Sequence, residues 1–244
     1  MKIRSVLRSA LSVSVVPFVA GAVVIETYSF TGGSLPLTPV DGTGAPASDT
    51  RTISGSSIVS LTDVDVRVTL TNPVQGGAFN GDYYLSLQHG SGFSVLLNRV
   101  GRTAGNAEGY GDNGFHLTFD DQAANGDVHT YQTRLGGPVD IAYTLPLTGS
   151  WAPDGRGSSP TTVLDSDARG SLLQVFNSAQ ADGTWTLQVI DFNTGGMASL
   201  LDWQLVLIGE LAPIPEPVAT ATITALAVSV LAVARMRSKA GTAL

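Results

Sequence analysis

Two adjacent carboxylates, Asp120 and Asp121, end a short alternating run from His116 to Phe119, and a third, Asp112, stands in the Gly-rich stretch before it. Three carboxylates that converge with backbone carbonyls make a hard-oxygen site of the kind that takes Ca2+. The same Asp pair also suits the simpler task of capping a turn. The histidines, His89, His116 and His129, include no i,i+2 pair. His116 and Asp120 share a strand face but lie too far apart along it for one compact metal site, so all three read as surface or turn residues. Trp151 and Tyr110 fall in loop contexts, where an aromatic face can stack on a glycan. Trp185 and Trp203 alternate with leucines and read as core. Nucleophilic and phosphate chemistry lack their motifs: there is no Gly-x-Ser-x-Gly elbow, no His-Glu-x-x-His and no phosphate loop. Without cysteine there is no disulfide framework, thiol catalysis or Cys-ligated zinc.

These residues sit in a chain built for short strands. Of 244 residues, 28 are Gly and 12 are Pro, and only 14% are charged, which disfavours long amphipathic helices. From Ile53 onward a two-residue period appears. In Asp63–Leu70, Val64, Val66, Val68 and Leu70 share one face and Asp63, Asp65, Arg67 and Thr69 the other. Turn residues separate further runs: Tyr83–Leu87, Phe93–Leu97, Thr184–Val189 with Trp185, Leu187 and Val189 inward, and Leu201–Leu207 with Leu201, Trp203, Leu205 and Leu207 inward. The pattern predicts an all-β, antiparallel sandwich or jelly roll over residues 51–209. Residues 23–50 read as an extended leader, with Leu35-Pro36-Leu37 a candidate edge strand.

Charge separates the body from the ends. Residues 23–217 hold seven Arg, no Lys and all 20 acidic residues, a net charge of −13. An acidic body is a poor partner for nucleic acid, and for an anionic polymer it would need bridging cations. Residues 1–22 combine Lys2, Arg4 and Arg8 with an apolar run and the small-x-small site Ala20-Gly21-Ala22, the pattern of a signal peptide cleaved after Ala22. Residues 210–217 form a linker ending in Pro215-Glu216-Pro217; residues 218–234 carry no charge and suffice for one transmembrane helix; residues 235–244 contain Arg235, Arg237 and Lys239, a basic cytoplasmic tail.

Pro215-Glu216-Pro217, the apolar helix and the Arg-containing tail resemble the PEP-CTERM sorting signal of exopolysaccharide-producing Gram-negative bacteria. The resemblance implies an exosortase-type processing partner, anchoring in the membrane before processing, and a final place at the cell surface or in the extracellular matrix. The helix departs from that family in its threonines, Thr220, Thr222 and Thr224.

The body is similar to the P-domain, or P/Homo B domain, of subtilisin-like proprotein convertases. Four blocks carry the likeness: Gly81-Asp82-Tyr83-Tyr84-Leu85-Ser86-Leu87; Phe119-Asp120-Asp121-Gln122-Ala123; Leu147-Thr148-Gly149-Ser150-Trp151-Ala152-Pro153; and Gly183-Thr184-Trp185-Thr186-Leu187 through Leu200-Leu201-Asp202-Trp203. The likeness implies a jelly roll of about eight strands. Gln122 replaces the family's usual Glu, Gln88-His89 replaces its usual Pro, and a long Gly-rich stretch separates Arg99 from Phe115. Leader, body and membrane segment leave no span for a catalytic domain. The expected protein is a non-enzymatic surface or matrix module; the alternatives are a glycan- or protein-binding module with structural Ca2+, or an accessory domain to a separate protease.

Overall fold

The alternation of Val64, Val66, Val68 and Leu70 places all four in the interior of a long strand. The computed structural model describes residues 22–72, 77–137 and 145–212. The strands are β1 (Val23–Phe30), β2 (Ala47–Ile53), β3 (Ile58–Thr71), β4 (Tyr83–His89), β5 (Gly92–Asn98), β6 (Phe115–Phe119), β7 (Leu147–Trp151), β8 (Gly183–Asp191) and β9 (Ser199–Leu211). They form a five-stranded sheet in the order β1-β9-β3-β6-β7 and a four-stranded sheet in the order β2-β8-β4-β5. A single turn of helix, α1 (Tyr131–Arg134), and a 3₁₀ turn at Leu173–Phe176 lie between strands.

Both sheets contribute to one apolar core. Strand β3 supplies Val64, Val66, Val68 and Leu70, β4 supplies Leu85 and Leu87, β8 supplies Trp185, Leu187 and Val189, and β9 supplies Trp203, Leu205 and Leu207. Trp185 and Trp203 are core residues, as their leucine partners predict. The indole Nε1 of Trp203 donates to Asp49 Oδ2 at 2.8 Å, which satisfies a donor that would otherwise be buried alone.

Four details depart from the periodicity reading. Strand β7 runs parallel to β6, pairing Phe115 with Leu147 and Phe119 with Trp151, so the five-stranded sheet is mixed rather than purely antiparallel. Residues 23–50 are not a leader throughout: β1 pairs with β9 from Val23↔Glu210 to Phe30↔Trp203, and β2 begins at Ala47. An edge strand has one solvated side, so its alternation is diluted by exposed Val23 and Ile25, which merge with the preceding apolar run. Leu37 makes a bridge with Leu200, donating to its carbonyl at 3.0 Å and accepting back at 2.8 Å. Finally, Leu201 points outward and Leu200 inward, because a bulge pairs Thr69 with Asp202 but Leu70 with Leu200. One extra residue there inverts the phase of the alternation.

Among the described residues no helix is long and apolar enough to cross a membrane. The signal-peptide run, Pro215-Glu216-Pro217, the 218–234 segment, Arg235 and Arg237 lie outside the described residues.

Candidate functional site

The expected Ca2+ set does not assemble. Asp112 is buried, accepting from Gln132 Nε2 at 2.7 Å and from the Tyr131 hydroxyl. Asp120 Oδ1 accepts from the backbone N–H of Gln122 at 2.7 Å, and Asp121 accepts from Leu173 N at 3.0 Å and Gln174 N at 2.7 Å. The pair therefore caps its own turn and the start of the 3₁₀ turn at Leu173–Phe176. Among the described residues no three His or acidic side chains gather as a metal cage. Asp120 and Asp121 instead lie near Asp63 and Asp65, the outward residues of β3. Burial first, then the Asp120 and Asp63 charges, push the Asp65 carboxyl up to about 6.

Trp151 and Tyr110 are also core residues rather than exposed stacking faces, at 1% and 3% exposed. Trp151 ends β7, its Nε1 donating to Thr148 O at 3.0 Å. Tyr131 lies between the two, with ring centroids 4.7 Å from Tyr110 and 6.2 Å from Trp151, in edge-on contact with each. A loop context carries no sign of this burial, because the Gly-rich stretch bearing Tyr110 folds back onto the body: Tyr110 N donates to Val100 O at 3.0 Å and Gly81 N to Tyr110 O at 2.8 Å. Beside this aromatic cluster opens a cavity of about 250 Å³, lined by Asp112, Asn125, Tyr131, Leu135, Leu145 and Trp151.

Two of the three histidines are interior, against the expectation of surface positions. His89 stacks on Trp185 at 3.9 Å, its two ring nitrogens 3.0 Å and 2.8 Å from the carbonyls of Thr184 and Gln180. His129 Nδ1 lies 2.7 Å from Asp154 Oδ2 and its Nε2 lies 3.0 Å from Arg102 O. A His–Asp pair is the orienting half of a nucleophile triad, but here the second nitrogen meets a backbone carbonyl instead of a hydroxyl. The pair continues into Arg156, which binds Asp154 Oδ1 at 3.1 Å and Asp127 Oδ2 at 2.8 Å. This is a charge network locked inside the fold. His116 remains on the surface, near Thr69 Oγ1 at 3.1 Å.

A second acidic group was missed in the sequence because its members are far apart in it. Asp82, directly before β4, and Asp191, at the end of β8, sit where those strands pair, Tyr83 opposite Asp191. Burial first, then the Asp191 charge, push the Asp82 carboxyl up to about 7 against a hydrogen bond from Asn193. Burial and the Asp41 charge push Asp191 to about 6. Arg99, a non-glycine residue at φ 49°, reaches only to 4.0 Å of Asp82 and 3.9 Å of Glu108.

No protein-family model and no curated protein matches the chain. Two solved structures resemble it at 16% identity: the Aeromonas sobria serine protease, with a TM-score of 0.41 over 78% of this chain and 27% of that one, and the same protease in complex with a chaperone, with a TM-score of 0.40 over 79% and 28%. The chain spans little more than a quarter of the length of these structures.

Proposed function

We propose that the protein is an exported, non-enzymatic β-sandwich of the cell surface or extracellular matrix, delivered by an exosortase-type system. The observation that carries this reading is the ordered set Pro215-Glu216-Pro217, an uncharged stretch from 218 to 234, and Arg235 and Arg237 after it. In this reading the prolines break the chain after the body, the 17 uncharged residues are enough to cross the hydrocarbon core if helical, and the cations that follow would stay on the cytoplasmic side. A further support is that β1 begins at Val23, immediately after the small-x-small site Ala20-Gly21-Ala22. Cleavage there leaves the pairing of β1 with β9 whole.

In this reading the two sheets are a jelly roll of the P-domain type. The four sequence blocks fall at the start of β4, the end of β6, along β7, and on β8 and β9. A binding role is the second reading, and the cavity beside Tyr131 and Trp151 favours it.

The test is mass spectrometry of both ends of the protein after separating membrane, periplasm and extracellular matrix of the native host. A C-terminus near Pro215–Pro217 in the matrix or outer fractions is expected. An intact tail through Arg235 in the inner membrane would reduce the protein to a tethered periplasmic module.

A further inference from the structure

The loop from Asn177 to Asp182 joins the 3₁₀ turn at Leu173–Phe176 to β8, and its backbone is tied down along its length. Ser178 N donates to Leu61 O at 2.7 Å and Leu61 N to Ala179 O at 2.8 Å, which fastens the loop to β3. The ring nitrogens of buried His89 lie 2.8 Å from Gln180 O and 3.0 Å from Thr184 O, and Trp185 Nε1 donates to Ala181 O at 3.0 Å. Asp182 accepts from Gly55 N at 2.9 Å and from Ser56 N at 2.8 Å, one with each oxygen. Within this framework Ser178 is held at φ 69°, a left-handed conformation that a residue with a side chain adopts only at a cost.

The side chains are left out of this bonding. Ser91, Asn177, Ser178, Gln180 and Thr184 border a cleft of about 600 Å³ between the Gly90-Ser91 turn and the loop, and none of their hydroxyls or amides bonds to another described residue. A fixed backbone that presents unengaged polar groups is preorganised, so little ordering cost falls on binding, and the volume suits a ligand site. The lining sets the ligand's chemistry. No Lys or Arg borders the cleft, and its one carboxylate, Asp182, is already held by two backbone N–H groups, so an ionic ligand finds no counter-charge. Hydroxyls and carboxamides both donate and accept, which matches a ligand dense in hydroxyls. Val175, 45% exposed, adds an apolar surface for the C–H face of a sugar ring.

We propose that the cleft between the Gly90-Ser91 turn and the 177–182 loop binds a short stretch of neutral polysaccharide. The site rests on the binding role given above as the second reading and supplies it with a ligand class and a place. It shares no residue with the cavity beside Tyr131 and Trp151, and it does not depend on the route of export.

The experiment is calorimetric titration of the full chain, kept in a detergent without a sugar headgroup, with cellohexaose, laminarihexaose, maltohexaose and mannohexaose, and with a mannuronate hexamer as the charged comparison. A neutral probe is expected to bind at one site, and the mannuronate is not. Asn177→Ala and Gln180→Ala are each expected to weaken that binding roughly three- to tenfold, the loss of one or two neutral hydrogen bonds. Their melting temperatures are expected to stay within about 2 °C of the wild type, because neither side chain bonds to the fold. Ser178→Gly is expected to bind more weakly yet melt no lower, since glycine relieves the left-handed strain. Thr148→Val, in the cavity beside Tyr131, is expected to bind as the wild type does. Weakened binding in Thr148→Val with full binding in Asn177→Ala and Gln180→Ala overturns this cleft and leaves the binding role to the other cavity. A fall in melting temperature that accompanies every loss of binding makes the loop structural and overturns the cleft too. So does preference for the mannuronate. Binding of no probe at about 10 mM, well above a millimolar-class Kd, overturns the cleft and the glycan-binding role together.

Discussion

His129 and Asp154 meet at 2.7 Å with neither side chain exposed to solvent. Asp154 is the hub: it also accepts from the backbone N–H of Asn98 at 3.2 Å and pairs with Arg156, which reaches on to Asp127. Removing the hub takes the carboxylate from a buried imidazole and one of two carboxylates from a buried guanidinium, which keeps Asp127. Asp154→Ala is expected to lower the unfolding free energy by about 3–5 kcal/mol, read from urea denaturation with an unchanged m-value. A loss below about 1 kcal/mol would show that water enters and satisfies the network.

Asp65 and Glu26 give opposite pH slopes. The Asp65 value, about 6, lies above its unfolded 3.8, so its favourable share is complete below about pH 3.8 and is lost as pH rises to about 6. Asp65→Asn should therefore stabilise at pH 7 by about 1 kcal/mol, after allowance for solvent screening, and leave stability at pH 3.5 unchanged. For Glu26, burial raises the carboxyl, but hydrogen bonds from Ser57, Tyr28 and Ser56 outweigh it and hold it down to about 2. Its share is present above pH 4.5 and lost as pH falls toward 2, so Glu26→Gln should flatten the acid limb of the stability curve. Chemical denaturation at a series of pH values checks both.

Trp151→Ala and Tyr110→Ala are expected to act on the fold before they act on any ligand. Each empties a buried aromatic position next to Tyr131, at a cost of about 3–5 kcal/mol. Near-ultraviolet circular dichroism and melting should change together. A variant that kept its melting temperature yet lost polysaccharide retention would restore the stacking role.

Gly81→Ala tests the close approach of the Gly-rich stretch. An added methyl would meet Glu108 O at 2.3 Å and Tyr110 N at 2.7 Å, both backbone atoms that cannot rotate aside. The expected cost is about 1–3 kcal/mol or more, measured by denaturant midpoint. Gly90→Ala, with open space around its Cβ position, serves as the control, though its φ of 55° adds mild strain.

The alternation of β3, β8 and β9 made those strands readable, because each has one face against the core and one facing outward. Strand β1 was hidden because its edge position leaves Val23 and Ile25 exposed, so an apolar run took the place of a period. Leu201 was assigned inward because a bulge cannot be seen in a composition pattern. The site residues were harder. Asp120 and Asp121 were conspicuous as neighbours, whereas Asp82 and Asp191 stand 109 positions apart and are joined only by the pairing of β4 with β8. Their one sequence signal was the Gly81-Asp82 step at a strand start, and nothing in it distinguished a buried carboxylate from a turn residue.

Strand β9 lies between β1 and β3 and is paired with both, from Val23↔Glu210 to Phe30↔Trp203 on one side and from Ile58↔Leu211 to Thr71↔Ser199 on the other. A pull applied at residue 212 along the strand direction would load the rungs to β1 and β3 side by side, in shear, instead of opening them one after another like a zip. The force needed to extract β9 is then shared over two ladders. The same central placement that builds the sheet makes the body resistant to drag acting through its C-terminal end.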